Sequence, residues 1–224
     1  MERPLSLYAE QLRAVRLALV RKGRSGMTSV GITSARPSEG KTTLAVSLAR
    51  TSAMAGSRTL LVDADLRRAS VSRVMGLPPH AGMVQVLRRT ATLDEALIHD
   101  PVSGMYVLPA GDTTENRQDL FAASNIGALL AEAEKRFDLV IFDAALALAV
   151  TDARLLLRQV DEVLMALRWN DTPSQSAAAT LKRMRALDIE PLGVIATRVD
   201  MRQLAVFGHG DVDRDHADYG AYYA

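Results

Sequence analysis

The sequence predicts an α/β fold: a mostly parallel sheet flanked by helices on both faces, followed by a flexible C-terminal tail. Three observations carry this. The strand-like runs are almost wholly apolar, as strands covered on both faces are. Helical segments of ten or more residues lie between them, the spacing that parallel pairing needs. Apolar periodicity stops at Met201, and the rest of the chain is rich in Asp, His, Gly and Tyr.

In chain order, residues 5–20 set Leu5, Tyr8, Leu12, Val15 and Leu19 at helical spacing. A basic link follows, Arg21-Lys22-Gly23-Arg24-Ser25-Gly26. Thr28–Thr33 is a β-branched strand, Ser34–Gly40 a turn-rich loop and Lys41–Ala55 a helix. Arg58–Val62 is a strand ending in acid. Residues 70–100 read as helical, broken at Gly76-Leu77-Pro78-Pro79 and near Thr92. Met105–Leu108, Leu139–Phe142, Glu162–Leu167 and Leu192–Val199 are further strands. Ser124–Arg136, Thr151–Gln159 and Pro173–Leu187 are helices between them.

Composition excludes several classes. With 224 residues the chain buries a full core without staples. It has no cysteine, which removes disulfides, thiolate catalysis and Cys-based metal sites and fits a reducing compartment. Lys and Arg number 27 against 26 Asp and Glu, a net charge of +1, which argues against a nucleic-acid partner. The uncharged run Ala144–Val150 falls well short of the ~20 residues of a membrane span. Met1-Glu2-Arg3-Pro4 lacks the apolar core of a signal peptide, so a soluble intracellular domain is expected.

The strongest local signal is Gly40-Lys41-Thr42-Thr43, after a strand and opening a helix. Backbone N–H groups at a helix N-terminus form a ready anion site. Gly40 lets the backbone approach a phosphate, Lys41 reaches the β- and γ-phosphates, and the Thr42 hydroxyl ligates Mg²⁺. The strict motif asks for glycine five residues before Gly40, where this chain has Ala35. Two acidic strand ends add weight. Leu60-Leu61-Val62-Asp63-Ala64-Asp65 places two carboxylates just past one strand, and Leu139-Val140-Ile141-Phe142-Asp143 does the same later. Ligands of open α/β sheets sit outside the carboxyl ends of the strands, so all three signals point to one crevice. Helix N-capping accounts for any one aspartate, but not for all sharing an edge with the loop. The fold expected is therefore P-loop NTPase-like.

Ile32-Thr33-Ser34-Ala35-Arg36-Pro37-Ser38-Glu39-Gly40-Lys41-Thr42-Thr43, Val62-Asp63-Ala64-Asp65-Leu66-Arg67 and Phe137-Asp138-Leu139-Val140-Ile141-Phe142-Asp143 resemble the Walker A, A′ and B motifs of the bacterial tyrosine kinases. These are the P-loop kinases that accompany polysaccharide co-polymerases. Leu146-Ala147-Leu148-Ala149-Val150-Thr151-Asp152-Ala153 matches the stretch after Walker B in that family. Tyr219, Tyr222 and Tyr223 fall in the last six residues of a chain with five tyrosines, and resemble the family's C-terminal tyrosine cluster. Glu10, Arg13 and Arg16 resemble the Glu-x-x-Arg-x-x-Arg motif by which the family forms a ring, described as an octamer. Glu10 and Arg13 equally fit an intrahelical ion pair.

The resemblance implies three units. Residues 1–26 would be a helix and basic link making an oligomer contact, 27–200 the kinase domain, and 201–224 a tyrosine-bearing tail. It implies an ATP-dependent autokinase that phosphorylates Tyr219, Tyr222 and Tyr223 of a neighbouring subunit and regulates exopolysaccharide or capsule synthesis and export. Arg36, Pro37, Ser38, Glu39, Gly40, Lys41, Thr42 and Thr43 would hold ATP. Thr42, Asp63 and Asp143 would serve Mg²⁺, with Asp65 supporting through water. Lys41, Asp63 and Asp65 would be the catalytic side chains, with Asp63 deprotonating or ordering the incoming tyrosine hydroxyl. The implied partners are other copies of the chain, a transmembrane activator or co-polymerase at the inner face of the plasma membrane, and an opposing tyrosine phosphatase.

The chain departs from the family pattern at four places. Ser38 stands where the family usually has glycine. Ala144-Ala145-Leu146 follows Asp143 where Pro-Pro is usual, so the loop loses fixed φ angles. Thr197 replaces a common asparagine with a base-recognition role, and the tyrosine cluster is short. Two rival readings remain. A partitioning or cell-division-site ATPase carries a lysine where Arg36 stands, and a non-catalytic nucleotide-binding scaffold would be favoured by the altered segment after Asp143.

Overall fold

The structure is a computed structural model that describes residues 7–19, 26–112, 120–200 and 203. Seven strands form one sheet: β1 (Thr28–Ser34), β2 (Thr59–Ala64), β3 (Ile98–His99), β4 (Tyr106–Leu108), β5 (Leu139–Ala144), β6 (Glu162–Arg168) and β7 (Gly193–Thr197). Their spatial order is β3-β4-β2-β5-β1-β6-β7, and every pairing is parallel except β3 with β4. The P-loop NTPase-like α/β class read from the sequence is the fold observed.

Eight helices complete the described fold: α1 (Leu7–Leu19), α2 (Lys41–Met54), α3 (Ser70–Met75), α4 (Met83–Leu87), α5 (Leu93–Ala96), α6 (Ala123–Glu134), α7 (Thr151–Leu157) and α8 (Ser174–Arg185). Side chains alternate across a strand, so each central strand supplies two cores. Leu61, Ile141, Ile32 and Leu164 face one core with Leu12 and Leu19 of α1 and Leu44 and Leu48 of α2. Val62, Phe142 and Met165 face the other with Ile126 of α6, Leu156 of α7 and Met184 of α8. Helix α1 therefore packs into the body of the domain, with Leu12 and Leu19 each only 2% exposed.

Most boundaries fall within two residues of the sequence reading, and three differences have a clear cause. The strand expected over Arg58–Val62 runs on to Ala64, and that expected over Leu139–Phe142 runs on to Ala144. The cause is mutual pairing, Asp63 with Asp143 and Ala64 with Ala144, which sequence propensity does not report. Asp63 and Asp143 thus stand inside adjacent strands, on the α2 face, and only Asp65 lies past a strand end. The helical stretch expected over 70–100 divides into α3, α4 and α5 and closes in a strand. Gly76, in the left-handed region at φ 63°, ends α3. Thr92 and Glu95 form a capping box that starts α5. A turn over Asp100–Gly104, with Gly104 N–H on the Asp100 carbonyl, then folds Ile98–His99 back onto β4.

Candidate nucleotide and phosphate-transfer site

The site begins where β1, between β5 and β6, runs into α2 through the loop 35–40. Two loop residues take left-handed backbone, Ser38 at φ 65° and Gly40 at φ 82°. At Gly40 glycine is required twice over, by that φ and because an added Cβ would lie 3.2 Å from Thr197 Oγ1. Helix α2 starts with no side-chain cap and no acid in its first turn, so its first N–H groups remain open to an anion.

Glu39 braces the loop from behind. It is 2% exposed. Its Oε2 accepts the Arg36 N–H at 2.7 Å and its Oε1 accepts the Thr172 hydroxyl. Thr172 in turn accepts the Arg168 N–H at 3.2 Å. The Thr197 hydroxyl donates to the Glu39 carbonyl at 2.6 Å. The sequence reading put Glu39 among the nucleotide contacts. The residue lines the cleft, while its carboxylate is taken up by the Arg36 N–H and the Thr172 hydroxyl. Arg36 also turns aside, its Nη1 3.5 Å from the Asp171 carbonyl.

Lys41 is the cation of the cluster. Its Nζ lies 3.2 Å from both Asp65 Oδ2 and Asp143 Oδ1, and the Thr42 hydroxyl donates to Asp143 Oδ2 at 2.6 Å. Burial pushes the Asp143 carboxyl above its ordinary value, against the opposing pull of Lys41 and Thr42. Asp63 is fully buried. Its Oδ2 accepts the Ser72 N–H at 3.1 Å and the Ser72 hydroxyl at 3.2 Å, while Oδ1 has no hydrogen-bond partner. Burial pushes Asp63 up to about 7, the Asp143 charge adding to the rise and the Ser72 bonds and Lys41 resisting it.

A cleft of about 240 Å³ opens over this cluster. The loop residues Pro37 to Thr43 line one side, and Arg68, Ser70, Arg73 and Val74 the other. Asp65 lines the cleft and Asp63 does not. A second, more apolar cleft of about 440 Å³ lies beyond the loop, between Tyr8, Leu12 and Val15 of α1 and Ile195–Val199, and touches Gly40 and Thr43.

The loop after Asp143 is braced without prolines. The Thr33 hydroxyl donates to the Ala145 carbonyl at 2.8 Å, and Val150 N–H donates to the Leu146 carbonyl at 3.1 Å. Ala145, Val150 and Ala153 form a small buried cluster beneath it. Asp143 is therefore presented to Lys41 and Thr42 despite the altered segment. Glu10 and Arg13 pair with each other on α1, and Arg16 Nε is buried without a hydrogen-bond partner. Tyr219, Tyr222 and Tyr223 and residues 21–25 of the basic link lie outside the described residues. Sequence reasoning missed Thr33, Ser72, Thr172, Arg68 and Arg73. Of these, Thr33 lies within the Walker A-like stretch and Arg68 beside the Asp-Ala-Asp-Leu-Arg segment.

A family model described as an AAA domain matches residues 27–189. The tyrosine-protein kinase YwqD of Bacillus subtilis is 31% identical over 211 residues, covering 93% of this chain and 89% of the relative. The succinoglycan biosynthesis transport protein ExoP of Rhizobium meliloti is 30% identical over 228 residues, and this chain spans only 29% of its length. The kinase domain of the Escherichia coli tyrosine kinase ETK superposes with a TM-score of 0.77 at 26% identity, over 85% of this chain and 77% of that one. Among the described residues, no helix is long and apolar enough to cross a membrane. The phosphate loop, the paired acids on β2 and β5, and these likenesses agree: the chain belongs to the AAA domain family, and within it to the bacterial tyrosine kinases.

Proposed function

We propose that this chain is an ATP-dependent protein-tyrosine kinase that phosphorylates Tyr219, Tyr222 and Tyr223 of a neighbouring copy, and so regulates exopolysaccharide synthesis and export. The observation that carries this is Lys41 held between Asp65 and Asp143 at the start of α2, beside the Thr42 hydroxyl. That set suits a nucleoside triphosphate with Mg²⁺. The open N–H groups of α2 take phosphate oxygens, and Lys41 leaves its carboxylates for them. Thr42 donates an oxygen to the metal, with Asp143 and Asp65 acting through water. The bound ion would neutralise charge on the phosphates. The apolar cleft beside Gly40 and Thr43 receives the base.

A phenol with a pKa of ~10 is protonated at neutral pH, so a carboxylate assists its attack. Asp63, near 7, is matched to that task, but it needs an opening toward the cleft. Asp65 orients the hydroxyl at the surface. Glu10, Arg13 and Arg16 would contact the next copy in a ring. A transmembrane activator at the inner face of the plasma membrane and a tyrosine phosphatase complete the expected partners. The braced loop after Asp143 favours a kinase over a non-catalytic scaffold.

Intact mass after incubation with ATP and Mg²⁺ tests the reading. Steps of one to three phosphates are expected, absent from Lys41→Met and from a chain truncated after Asp218. ATP binding without any phosphate step, in the presence of an activator's cytoplasmic segment, would hand the lead to the scaffold.

A further inference from the structure

Nucleotide chemistry leaves one wall of the cleft unexplained. Val74 is 59% exposed at its lip, and Leu146 lines it from the loop after Asp143. Triphosphate offers nothing apolar to this wall, and the base already has its own apolar cleft across the loop. Arg68 and Arg73 stand on the same side as Val74. Arg73 Nη2 donates to the Arg68 carbonyl at 3.2 Å and lies 3.3 Å from Ser70 Oγ, which fixes its head at the cleft. Each guanidinium carries five N–H donors, and neither has a carboxylate partner among the described residues.

The chain itself contains a segment with the complementary chemistry. Asp211, Asp213, Asp215 and Asp218 precede Tyr219, with one arginine among them, so an acidic run leads directly into the phenols. We propose that Val74 and Leu146 seat the acceptor tyrosine ring, and that Arg68 and Arg73 read the aspartates preceding it, on segment 211–223 of a second copy. The proposal rests on the kinase reading and names how its acceptor is selected. A ring between two aliphatic side chains is held by area, and a guanidinium fork holds a carboxylate by paired charged hydrogen bonds. Together they choose acidic, tyrosine-bearing chain over other tyrosines.

Binding is measured by fluorescence anisotropy with a labelled peptide of residues 208–224, titrated with the full chain carrying Tyr219→Phe, Tyr222→Phe and Tyr223→Phe. The peptide with all four aspartates changed to Asn should bind about tenfold more weakly. Arg68→Gln with Arg73→Gln should erase that preference, and Arg68→Lys with Arg73→Lys should restore part of it. Leu146→Ala should weaken the tyrosine peptide and leave a Tyr→Ala peptide unaffected. Equal affinity for the Asp and Asn peptides overturns the proposal, without reference to any folding defect of a variant. So does equal binding of an acidic peptide without tyrosine, which would assign the arginines to acidic chains at large. Phosphate transfer to the same peptide is read separately by mass. Peptide that docks with the expected charge preference and receives no phosphate, with an activator's cytoplasmic segment present, overturns the kinase reading and leaves the docking site standing.

Discussion

The Thr42 hydroxyl donates to Asp143 Oδ2 at 2.6 Å across 101 positions of chain. That one bond ties the start of α2 to the end of β5. It also sets a hydroxyl and a carboxylate side by side, the pair that the proposed function assigns to a nucleotide-bound cation. Thr42→Val keeps the shape and removes the donor, leaving a buried carboxylate short of a partner. Phosphate transfer should fall by ~100-fold or more, and stability by about 1–2 kcal/mol. Thr42→Ser should stay within about tenfold of the parent rate. Time courses of intact mass read the first, and urea unfolding the second.

Lys41→Met leaves two nearly buried carboxylates without their cation. Stability at pH 7 should drop by about 3 kcal/mol. The pH sign follows from proton binding. Without Lys41 the folded-state pKa of Asp143 rises further above its unfolded value, so the variant takes up protons on folding. Its deficit should shrink as pH falls from 7 toward 4. A deficit constant across that range, measured by denaturant unfolding, would contradict this cluster.

Asp63 gives a second pH signature. Its folded pKa near 7 lies above the usual 3.8, so its ionised form opposes folding. The chain's stability relative to Asp63→Asn is fully retained below pH 3.8 and is lost as pH rises through 7. By linkage the full difference is of order 4 kcal/mol. Melting temperatures of both chains between pH 4 and 8 should diverge over that window.

Ser38 holds φ 65°, a left-handed conformation that costs a side-chain-bearing residue roughly 1–2 kcal/mol. Ser38→Gly removes that strain. The expected gain is about 1 kcal/mol, or roughly 2–4 °C in a domain of this size. Differential scanning calorimetry checks it.

Gly31 lies in β1 against α7. A Cβ there would meet Leu157 Cδ2 at 2.5 Å and Val160 Cγ2 at 3.3 Å. Gly31→Ala should destabilise by about 1–3 kcal/mol through overpacking. Adding Leu157→Ala should recover part of that loss, a coupling that a double-mutant cycle measures.

The chain of apolar strands and intervening helices was legible because it depends on local composition and on period alone. Gly40-Lys41-Thr42-Thr43 was legible for a similar reason, since a loop entering a helix presents its N–H groups whatever surrounds it. The short β3 was not. Ile98 and His99 become a strand only because β4 offers them an edge after the Asp100–Gly104 turn. The reach of β2 and β5 past Val62 and Phe142 was hidden likewise, because each strand lengthens only against the other.

The sequence by itself determined the class of fold, the phosphate loop and the acids that would share its edge, because composition, period and strand ends are local properties. Only the tertiary structure decided what each acid does. Asp63 and Asp65 are two residues apart, and alternation alone would set them on one face; the end of the strand at Ala64 separates them, so one is sealed beneath Ser72 and the other opens to the cleft. The Glu39 carboxylate braces the loop because Thr172, 133 positions away, supplies its partner. Asp143 keeps its place without prolines because Thr33 of the neighbouring strand holds the loop behind it. Such roles depend on contacts between residues far apart in sequence, and those distances close only when the sheet forms.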